Sequence, residues 1–120
     1  MKKKLLIIGF GSAGRRFADI AKKNFKNLDI NIFTKQKKIG FKIIESRENI
    51  KKLNPDYIII SSPTKIHFYH LKLINKYLKN KKILIEKPLY DKLENIKGVK
   101  NKIYVGYNLR NLKIIKFLKS

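Results

Sequence analysis

The sequence predicts an α/β fold, namely a doubly wound parallel sheet of about six strands with helices on both faces. Short apolar runs bounded by charged or turn residues recur along the chain, as they do in strands that are buried on both faces. Helical patterns separate these runs at the spacing of β-α-β units. The length of 120 residues fits one domain and is sufficient for a single hydrophobic core.

The N-terminal part of the chain begins with this alternation. Residues 5–8 are continuously apolar between Lys4 and Gly9, which predicts a first strand at 4–8 that is buried on both faces. Residues 15–24 place their apolar side chains on one helical face and predict the first helix. Residues 29–33 alternate between polar and apolar side chains and predict a second strand. Residues 41–44 are the candidate for a short third strand.

The middle of the chain continues the same order. Ser46 is a candidate N-cap for a short helix that runs to Leu53, because serine side chains accept hydrogen bonds from the first helical N–H groups. Asn54 and Pro55 then stop this helix. Residues 57–60 form another continuous apolar run after Asp56, which predicts the fourth strand at 56–60.

The C-terminal half starts with a longer helix, for which Thr64 is the predicted N-cap. The elements predicted from here on are a helix at 64–79, a strand at 82–85, a short helix at 91–96, a strand at 102–105 and a helix at 111–119. The first of these helices has an apolar face made of Ile66, Tyr69, His70, Leu73, Ile74, Tyr77 and Leu78. For the last helix the pattern allows two alternative apolar faces, either Leu112, Ile115 and Leu118 or Ile114 and Phe117.

The charge of the chain is strongly positive, with 30 Lys and Arg against 8 Asp and Glu and a net charge of +22. Such an excess raises the possibility of a polyanionic partner. However, only four of the cations are arginines, and the lysines are scattered along the whole chain. We therefore expect surface lysines rather than a nucleic-acid footprint. The alternative is a basic, non-enzymatic module that binds nucleic acid or another polyanion, which requires the lysines to form one continuous stripe.

Several classes of protein and of site are excluded by composition. The chain contains no cysteine, which excludes disulfides, thiolate metal sites and cysteine nucleophiles. No apolar run approaches the ~20 residues that span a bilayer, so we expect a cytoplasmic protein without membrane contact. His67 and His70 are three residues apart on the same predicted helix, but no carboxylate accompanies them, and no metal site is predicted. We expect His70 to be a packed or surface residue.

A glycine motif joins the first predicted strand to the first predicted helix. It reads Gly9-Phe10-Gly11-Ser12-Ala13-Gly14 and matches the pattern G-x-G-x-x-G. In such a turn the first glycine permits the tight bend, the second lets a pyrophosphate approach the backbone, and the third lets helix and strand pack closely. The free N–H groups of the following helix then bind phosphate. The context predicts dinucleotide binding, whereas a tight turn without a ligand needs only one of these glycines.

The end of the second predicted strand bears on which dinucleotide is bound. Chains that bind NAD carry an acidic residue about twenty positions after the glycines, where it holds the ribose 2′-OH. This chain has Thr34 and Lys35 there, followed by Lys37 and Lys38. A hydroxyl followed by cations suits a 2′-phosphate and gives a modest preference for NADP over NAD. A lysine-rich loop without this role explains the residues equally well.

Two further turns follow the carboxyl ends of the fourth and fifth predicted strands. The first contains residues 61–64, and the second contains Glu86, Lys87 and Pro88. Because ligands of open parallel sheets bind at this edge, these turns and the glycine motif are expected to line one crevice. Lys87 is a candidate acid or base, and Glu86 is a candidate partner for it or for a hydroxyl. An ordinary polar turn is the alternative.

Four stretches together resemble the N-terminal domain of the glucose–fructose oxidoreductase/inositol dehydrogenase (Gfo/Idh/MocA) family. They are IIGFGSAG at 7–14, ISSPT at 60–64 with His67, IEKPL at 85–89 and VGYNLR at 105–110. The stretches occur in the family order and cover nearly the whole chain. The Glu-Lys-Pro turn and the later Gly-Tyr-Asn-x-Arg are the more specific of these motifs, since glycine loops occur in many dehydrogenases.

The resemblance implies a role for each matching residue. The glycine loop would hold the pyrophosphate of NAD or NADP, and Glu86 would contact the ribose or the amide region of the nicotinamide. Lys87 would be the catalytic lysine that polarises the substrate hydroxyl or carbonyl during hydride transfer. Asn108 and Arg110 would lie near the substrate. The residues that would flank the adenosine and nicotinamide side of the crevice are Ser61, Ser62, Pro63, Thr64 and His67.

The resemblance also implies a division of the chain and a partner. Residues 1–108 would form the NAD(P)-binding Rossmann domain, and 109–120 would begin the connecting helix to a C-terminal substrate domain that this sequence does not contain. The implied activity is that of an oxidoreductase on a sugar, nucleotide sugar or cyclitol. Turnover would then need the substrate domain, which also forms the oligomer interface in this family, or a partner chain that supplies it.

Overall fold

The computed structural model describes residues 2–86, 101–106 and 110–120. These residues form six strands and four helices. In chain order the elements are β1 (Lys3–Ile8), α1 (Ser12–Asn24), β2 (Leu28–Phe33), β3 (Lys42–Ile44), α2 (Arg47–Leu53), β4 (Tyr57–Ile60), α3 (Thr64–Tyr77), β5 (Lys82–Glu86), β6 (Lys102–Gly106) and α4 (Asn111–Lys119). The predicted short helix at 91–96 lies outside the described residues.

The six strands form one parallel sheet in the order β3-β2-β1-β4-β5-β6. The chain runs outwards from β1 to β2 and β3, and then returns to pair β4 with the other side of β1. The strand order therefore reverses at β1, and ligands of open parallel sheets bind at such a reversal point, outside the carboxyl ends of the strands. This arrangement confirms the predicted doubly wound α/β fold.

The helices cover both faces of the sheet because successive strand residues point to opposite sides. In β1, Leu5 and Ile7 pack with α1 and α4, whereas Leu6 and Ile8 pack with α2 and α3. All four of these side chains are fully buried. The continuous apolar run at the start of the sequence is thus explained by a strand with a helical layer on each side.

The starts of α2 and α4 agree with the sequence prediction, whereas the start of α1 and the cap of α3 differ from it. The Ser46 side chain caps α2 as predicted and accepts a hydrogen bond from the N–H of Asn49 at 3.3 Å. The prediction of Thr64 as a cap is wrong, since Pro63 is the N-cap and its carbonyl accepts the N–H of Ile66 at 2.9 Å. Helix α1 begins at Ser12, inside the glycine motif, rather than at residue 15.

The predicted apolar faces of the last two helices need correction. On α3, Ile66 and Tyr69 are 40% and 45% exposed, whereas Leu71, which the pattern missed, is fully buried. On α4 the alternative of Ile114 and Phe117 is confirmed but lacks Leu118, and the alternative that includes Leu112 and Ile115 is wrong. The buried residues of α4 are Ile114, Phe117 and Leu118, and Leu112 is 82% exposed. The helix rests on one face of the sheet with Phe117 against the rings of Tyr57 and Tyr104, and this contact sets its rotation.

Candidate functional site

The glycine loop, residues 9–14, begins with a backbone conformation that requires glycine. Gly9 has φ +95°, which L side chains rarely adopt. A Cβ at this position would also lie 2.9 Å from the backbone nitrogen and Cα of Ser62. The turn after β1 and the turn after β4 are therefore pressed together, and neither tolerates a side chain between them.

The last glycine of the loop is required for a different reason. A Cβ at Gly14 would collide with the carbonyl oxygen of Gly9 and would lie 2.9 Å from Oγ of Ser61. That hydroxyl lies 2.9 Å from the Gly9 carbonyl oxygen and 3.1 Å from the Ile8 carbonyl oxygen, to which it donates. Helix α1 can approach the strand ends this closely only because Gly14 has no side chain.

Gly11 is the one glycine of the loop that the protein's own packing does not explain. A Cβ there would meet no heavy atom within 4 Å, and its φ of −82° and ψ of −160° are available to other residues. The position opens onto the N-terminus of α1, where Gly11 is the N-cap and provides no side-chain acceptor. A glycine that is unnecessary for packing leaves room for a ligand to approach the backbone.

The electrostatics of this helix start favour an anion. The first turn of α1 contains no acidic residue, and the first N–H groups of a helix have no partners within the helix. Such N–H groups and the positive end of a helix dipole attract phosphate in dinucleotide-binding domains. The cradle at Gly11 and the uncapped helix start thus fit a dinucleotide diphosphate. A tight turn that needs only one glycine does not describe this loop.

The loop after β2 is tied directly to the glycine loop. The N–H of Gly9 donates to the carbonyl of Phe33 at 3.2 Å, and Nε2 of Gln36 donates to the carbonyl of Phe10 at 2.7 Å. The N–H of Gln36 donates to Oγ1 of Thr34 at 3.2 Å. Thr34 is half-buried and Lys35 is exposed. Thr34 and Lys35, which were predicted to contact the adenosine ribose, therefore lie at the same edge of the sheet as the glycine loop.

Gln36 is a residue of this site that the sequence reasoning missed. No motif distinguishes it, since it is one polar residue in a polar loop. Its importance comes from a hydrogen bond to a residue 26 positions earlier, which holds the two loops together. Contacts across such separations have no local sequence signal.

The turn after β4 places its serines in different roles. Oγ of Ser61 holds the glycine loop, as described above, whereas Oγ of Ser62 forms a 2.7 Å hydrogen bond with Nδ1 of His70. Both Ser62 and His70 are buried, at 4% and 9% exposure, so His70 is a packed residue as expected. The backbone of Ser62 borders Gly9, while its side chain is directed into the protein. Pro63 is exposed next to it.

The remaining predicted site residues lie at the same edge of the sheet or outside the described residues. Thr64 is the first residue of α3 and His67 lies in its first turn. Glu86 is the last residue of β5 and is in register with Gly106 of β6. Arg110 is exposed at the N-cap of α4. Lys87 and Asn108 lie outside the described residues.

The positive charge is distributed over the described surface rather than concentrated in one stripe. Exposed lysines occur on α1 and α4, which cover one face of the sheet, and on α2 and α3, which cover the other. Examples on opposite layers are Lys22, Lys113, Lys51 and Lys72. This scatter is the pattern expected of surface lysines and does not support the nucleic-acid alternative.

Two other kinds of site are not found in the described parts of the chain. No group of three or more histidine and acidic residues is placed to hold a metal ion among residues 2–86, 101–106 and 110–120. Within the same ranges, none of the helices combines the length and apolar character needed to cross a bilayer.

The strand order, with its reversal at β1, and the glycine loop together define a dinucleotide-binding domain of the Rossmann type. Comparison with protein-family models then identifies the family. Residues 3–103 match GFO_IDH_MocA, the oxidoreductase family with an NAD-binding Rossmann fold. The chain belongs to this family, which confirms the resemblance seen in the sequence. The predicted cofactor class, NAD(P), is confirmed with it, because the family is NAD-binding.

Solved structures share this fold. The chain is similar to prephenate dehydrogenase from A. aeolicus in complex with hydroxyphenyl propionate and NAD+, with a TM-score of 0.70 and 20% identity over 84% of this chain and 40% of that chain. It is similar to the WlbA dehydrogenase from Bordetella pertussis in complex with NADH and UDP-GlcNAcA, with a TM-score of 0.67 and 12% identity over 88% of this chain and 37% of that chain.

A third similar structure is pyrroline carboxylate reductase from Plasmodium falciparum with NADP bound, with a TM-score of 0.63 and 27% identity over 86% of this chain and 41% of that chain. The chain thus spans about two-fifths of the length of each of these three proteins. Comparison with curated protein sequences gave no match.

Proposed function

We propose that the chain is the cofactor-binding domain of an oxidoreductase that transfers a hydride between NAD(P) and a hydroxyl or carbonyl carbon of a sugar, nucleotide sugar or cyclitol. The observation that carries the proposal is the open space at Gly11, directly before an uncapped helix, in a chain of an NAD-binding oxidoreductase family. The UDP-GlcNAcA in the WlbA structure is in keeping with a sugar-type substrate.

In this proposal the described residues bind and orient the cofactor. The N–H groups at the start of α1 hold the diphosphate, and Gly9 and Gly14 keep the loop close enough to the sheet to present them. Thr34 and Lys35 lie at the adenosine ribose, and the turn of Ser61, Ser62 and Pro63 borders the crevice with Thr64 and His67 at the start of α3. The contact from Ser62 is through its backbone, because its hydroxyl is bonded to His70.

The reacting end of the cofactor is assigned to the turn that follows β5. When bound, the nicotinamide supplies or accepts the hydride. Glu86 contacts the nicotinamide ribose. Lys87 donates a proton to the substrate oxygen or accepts one from it while a hydride passes between the nicotinamide and the carbon that bears this oxygen. Asn108 and Arg110 contribute to the substrate side. We propose that residues 1–108 form the cofactor domain and that 109–120 begin the connection to a substrate domain. The remaining substrate contacts then come from that domain or from a partner chain. The proposed compartment is the cytoplasm.

The test is a titration of the chain with NADPH and with NADH, followed by calorimetry and by thermal denaturation. Both cofactors are expected to bind and to raise the melting temperature by mass action, with NADPH the stronger of the two. ADP-ribose, which lacks the nicotinamide, is expected to bind through the same loop but more weakly. The absence of binding by either dinucleotide at millimolar concentration would overturn the proposal.

A further inference from the structure

A guanidinium group stands beside the glycine loop on the side of α1 that faces β2 and β3. The Cζ atom of Arg15 lies 4.8 Å from the centroid of the Phe10 ring, within the range of a cation–π contact. The Phe10 ring is 6% exposed and packs edge-to-face on Phe41 at 6.1 Å between centroids. The guanidinium of Arg15, an exposed residue, thus lies against a buried phenylalanine of the glycine loop.

The same phenylalanine connects Arg15 to the loop that follows β2. The carbonyl of Phe10 accepts the 2.7 Å hydrogen bond from Gln36, and Gln36 in turn contacts Thr34. Phe10 therefore contacts Arg15 through its ring and the loop after β2 through its carbonyl. In dinucleotide-binding domains the adenosine ribose lies at the end of this strand, and a nearby arginine accommodates a 2′-phosphate.

The charges around this position favour a dianion. The end of β2 has Thr34 in place of an acidic residue, and Lys35 is exposed next to it. Glu45 is the one acidic residue of the stretch 34–45, and it pairs with Lys37 at 3.4 Å. Asp19 lies one turn further along α1 and lines the same depression as Arg15. Within the part of the chain that the structure describes, the guanidinium of Arg15 forms no ion pair with a carboxylate. Its fork of N–H donors suits a phosphate better than a lysine ammonium does.

From these contacts we propose that Arg15 binds the 2′-phosphate of NADP and gives the chain its preference for NADP over NAD. The inference rests on the proposed function, since it assumes that the crevice holds a dinucleotide. In this proposal the 2′-phosphate is bound mainly by Arg15, which lies outside the loop after β2, and Lys35 in that loop assists. Lys37 is assigned none, because it is paired with Glu45.

The experiment measures dissociation constants for NADPH and NADH by calorimetry with the full chain and its variants. Arg15→Gln is expected to raise the NADPH dissociation constant about ten- to hundredfold while that of NADH changes less than about twofold, because only NADPH has the 2′-phosphate. Arg15→Lys is expected to restore part of the loss. Adenosine 2′,5′-bisphosphate should compete with NADPH for the unaltered chain and much less for Arg15→Gln.

Arg16→Gln is the matched control, because it removes the same charge one residue away. Arg16 lies over the ring of Phe17 and lines a depression at the start of α4 with Asn111 and Lys113. Its replacement is expected to leave the ratio of the two dissociation constants unchanged. The same loss of NADPH binding in both variants would mean a general effect of charge and would overturn the assignment of Arg15.

The remaining outcomes separate this inference from the proposed function. If the chain binds both cofactors and Arg15→Gln weakens both equally, or neither, the inference is wrong and the proposed function stands. If Glu45→Gln weakens NADH binding and Arg15→Gln leaves NADPH binding intact, Glu45 binds the adenosine ribose hydroxyl instead, and the assignment of Arg15 is wrong. If neither cofactor binds the unaltered chain, the proposed function itself is wrong.

Discussion

Replacing Gly11 with aspartate separates the binding role of the glycine loop from its folding role. A Cβ at Gly11 has no neighbour within 4 Å, so the substitution is free of steric conflict inside the protein. Gly11 is also the N-cap of α1 and makes no side-chain cap. An aspartate there accepts hydrogen bonds from the first-turn N–H groups and complements the helix dipole. The same carboxylate occupies the space through which a diphosphate approaches and repels its charge.

The substitution is expected to stabilise the chain without cofactor and to remove the larger stabilisation that cofactor provides. The new cap and the lower entropy of the unfolded chain are expected to raise the free energy of unfolding by about 0.5–1 kcal/mol. This corresponds to a rise of roughly 2–6 °C in the melting temperature. Cofactor at a hundredfold excess over its dissociation constant stabilises the unaltered chain by about 2.7 kcal/mol. The Gly11→Asp variant is expected to lose this ligand-dependent stabilisation entirely.

The assay is urea denaturation with and without NADPH, followed by far-ultraviolet circular dichroism. The expected result is a variant that is more stable than the unaltered chain without cofactor and less stable with it. A variant that is still stabilised by NADPH would refute the placement of the diphosphate at Gly11. A large loss of stability without cofactor would refute the open space on which the argument depends.

Three further substitutions test contacts that stabilise the fold, two of them next to the glycine loop and one near the amino end of β2. Gly14→Ala is expected to lower the free energy of unfolding by about 1–3 kcal/mol in urea denaturation, because the new methyl group collides with backbone; an unchanged midpoint would contradict the close helix approach. Ser62→Ala removes the 2.7 Å partner of His70 at a buried position and is expected to cost about 1–3 kcal/mol, and equal stability would show that this hydrogen bond contributes nothing. The 2.8 Å hydrogen bond from Lys42, assisted by its charge, lowers the pKa of Asp29 below 3.8, so the ionised form stabilises the fold above that pH. Asp29→Asn is therefore expected to cost about 0.5 kcal/mol near pH 7, with the difference vanishing as the pH falls through the lowered pKa; a difference that persists below pH ~2 would exclude ionisation as its source.

The strands were predictable because their information is local. The continuous apolar runs of β1 and β4 can be satisfied only by burial on both faces, and such strands belong to parallel sheets covered by helices. The glycine motif was predictable for the same reason, since its three glycines stand at a fixed spacing between strand and helix. Within this motif, however, only the structure distinguishes Gly9 and Gly14, which the fold requires, from Gly11, which it does not.

Helix faces were less predictable, because periodicity leaves the rotation of a helix open by one or two residues. The pattern of α3 included Ile66 and Tyr69 in the buried face, but these residues are partly exposed and Leu71 is buried instead. On α4 the face of Ile114 and Phe117 was correct without Leu118, and the contact of Phe117 with the sheet decided between the two candidates. The packing surface of the sheet determines which side chains a helix buries.

The sequence by itself determined the alternation of strands and helices, the family and the cofactor class, because these depend on side-chain periodicity and on short motifs. Tertiary structure alone decided which side chains meet at the crevice. It directed the hydroxyl of Ser62 to His70, tied Gln36 to Phe10 and placed Arg15 on the Phe10 ring. The physical reason is that these contacts join loops from different strands, and their geometry is set only when the strands align side by side.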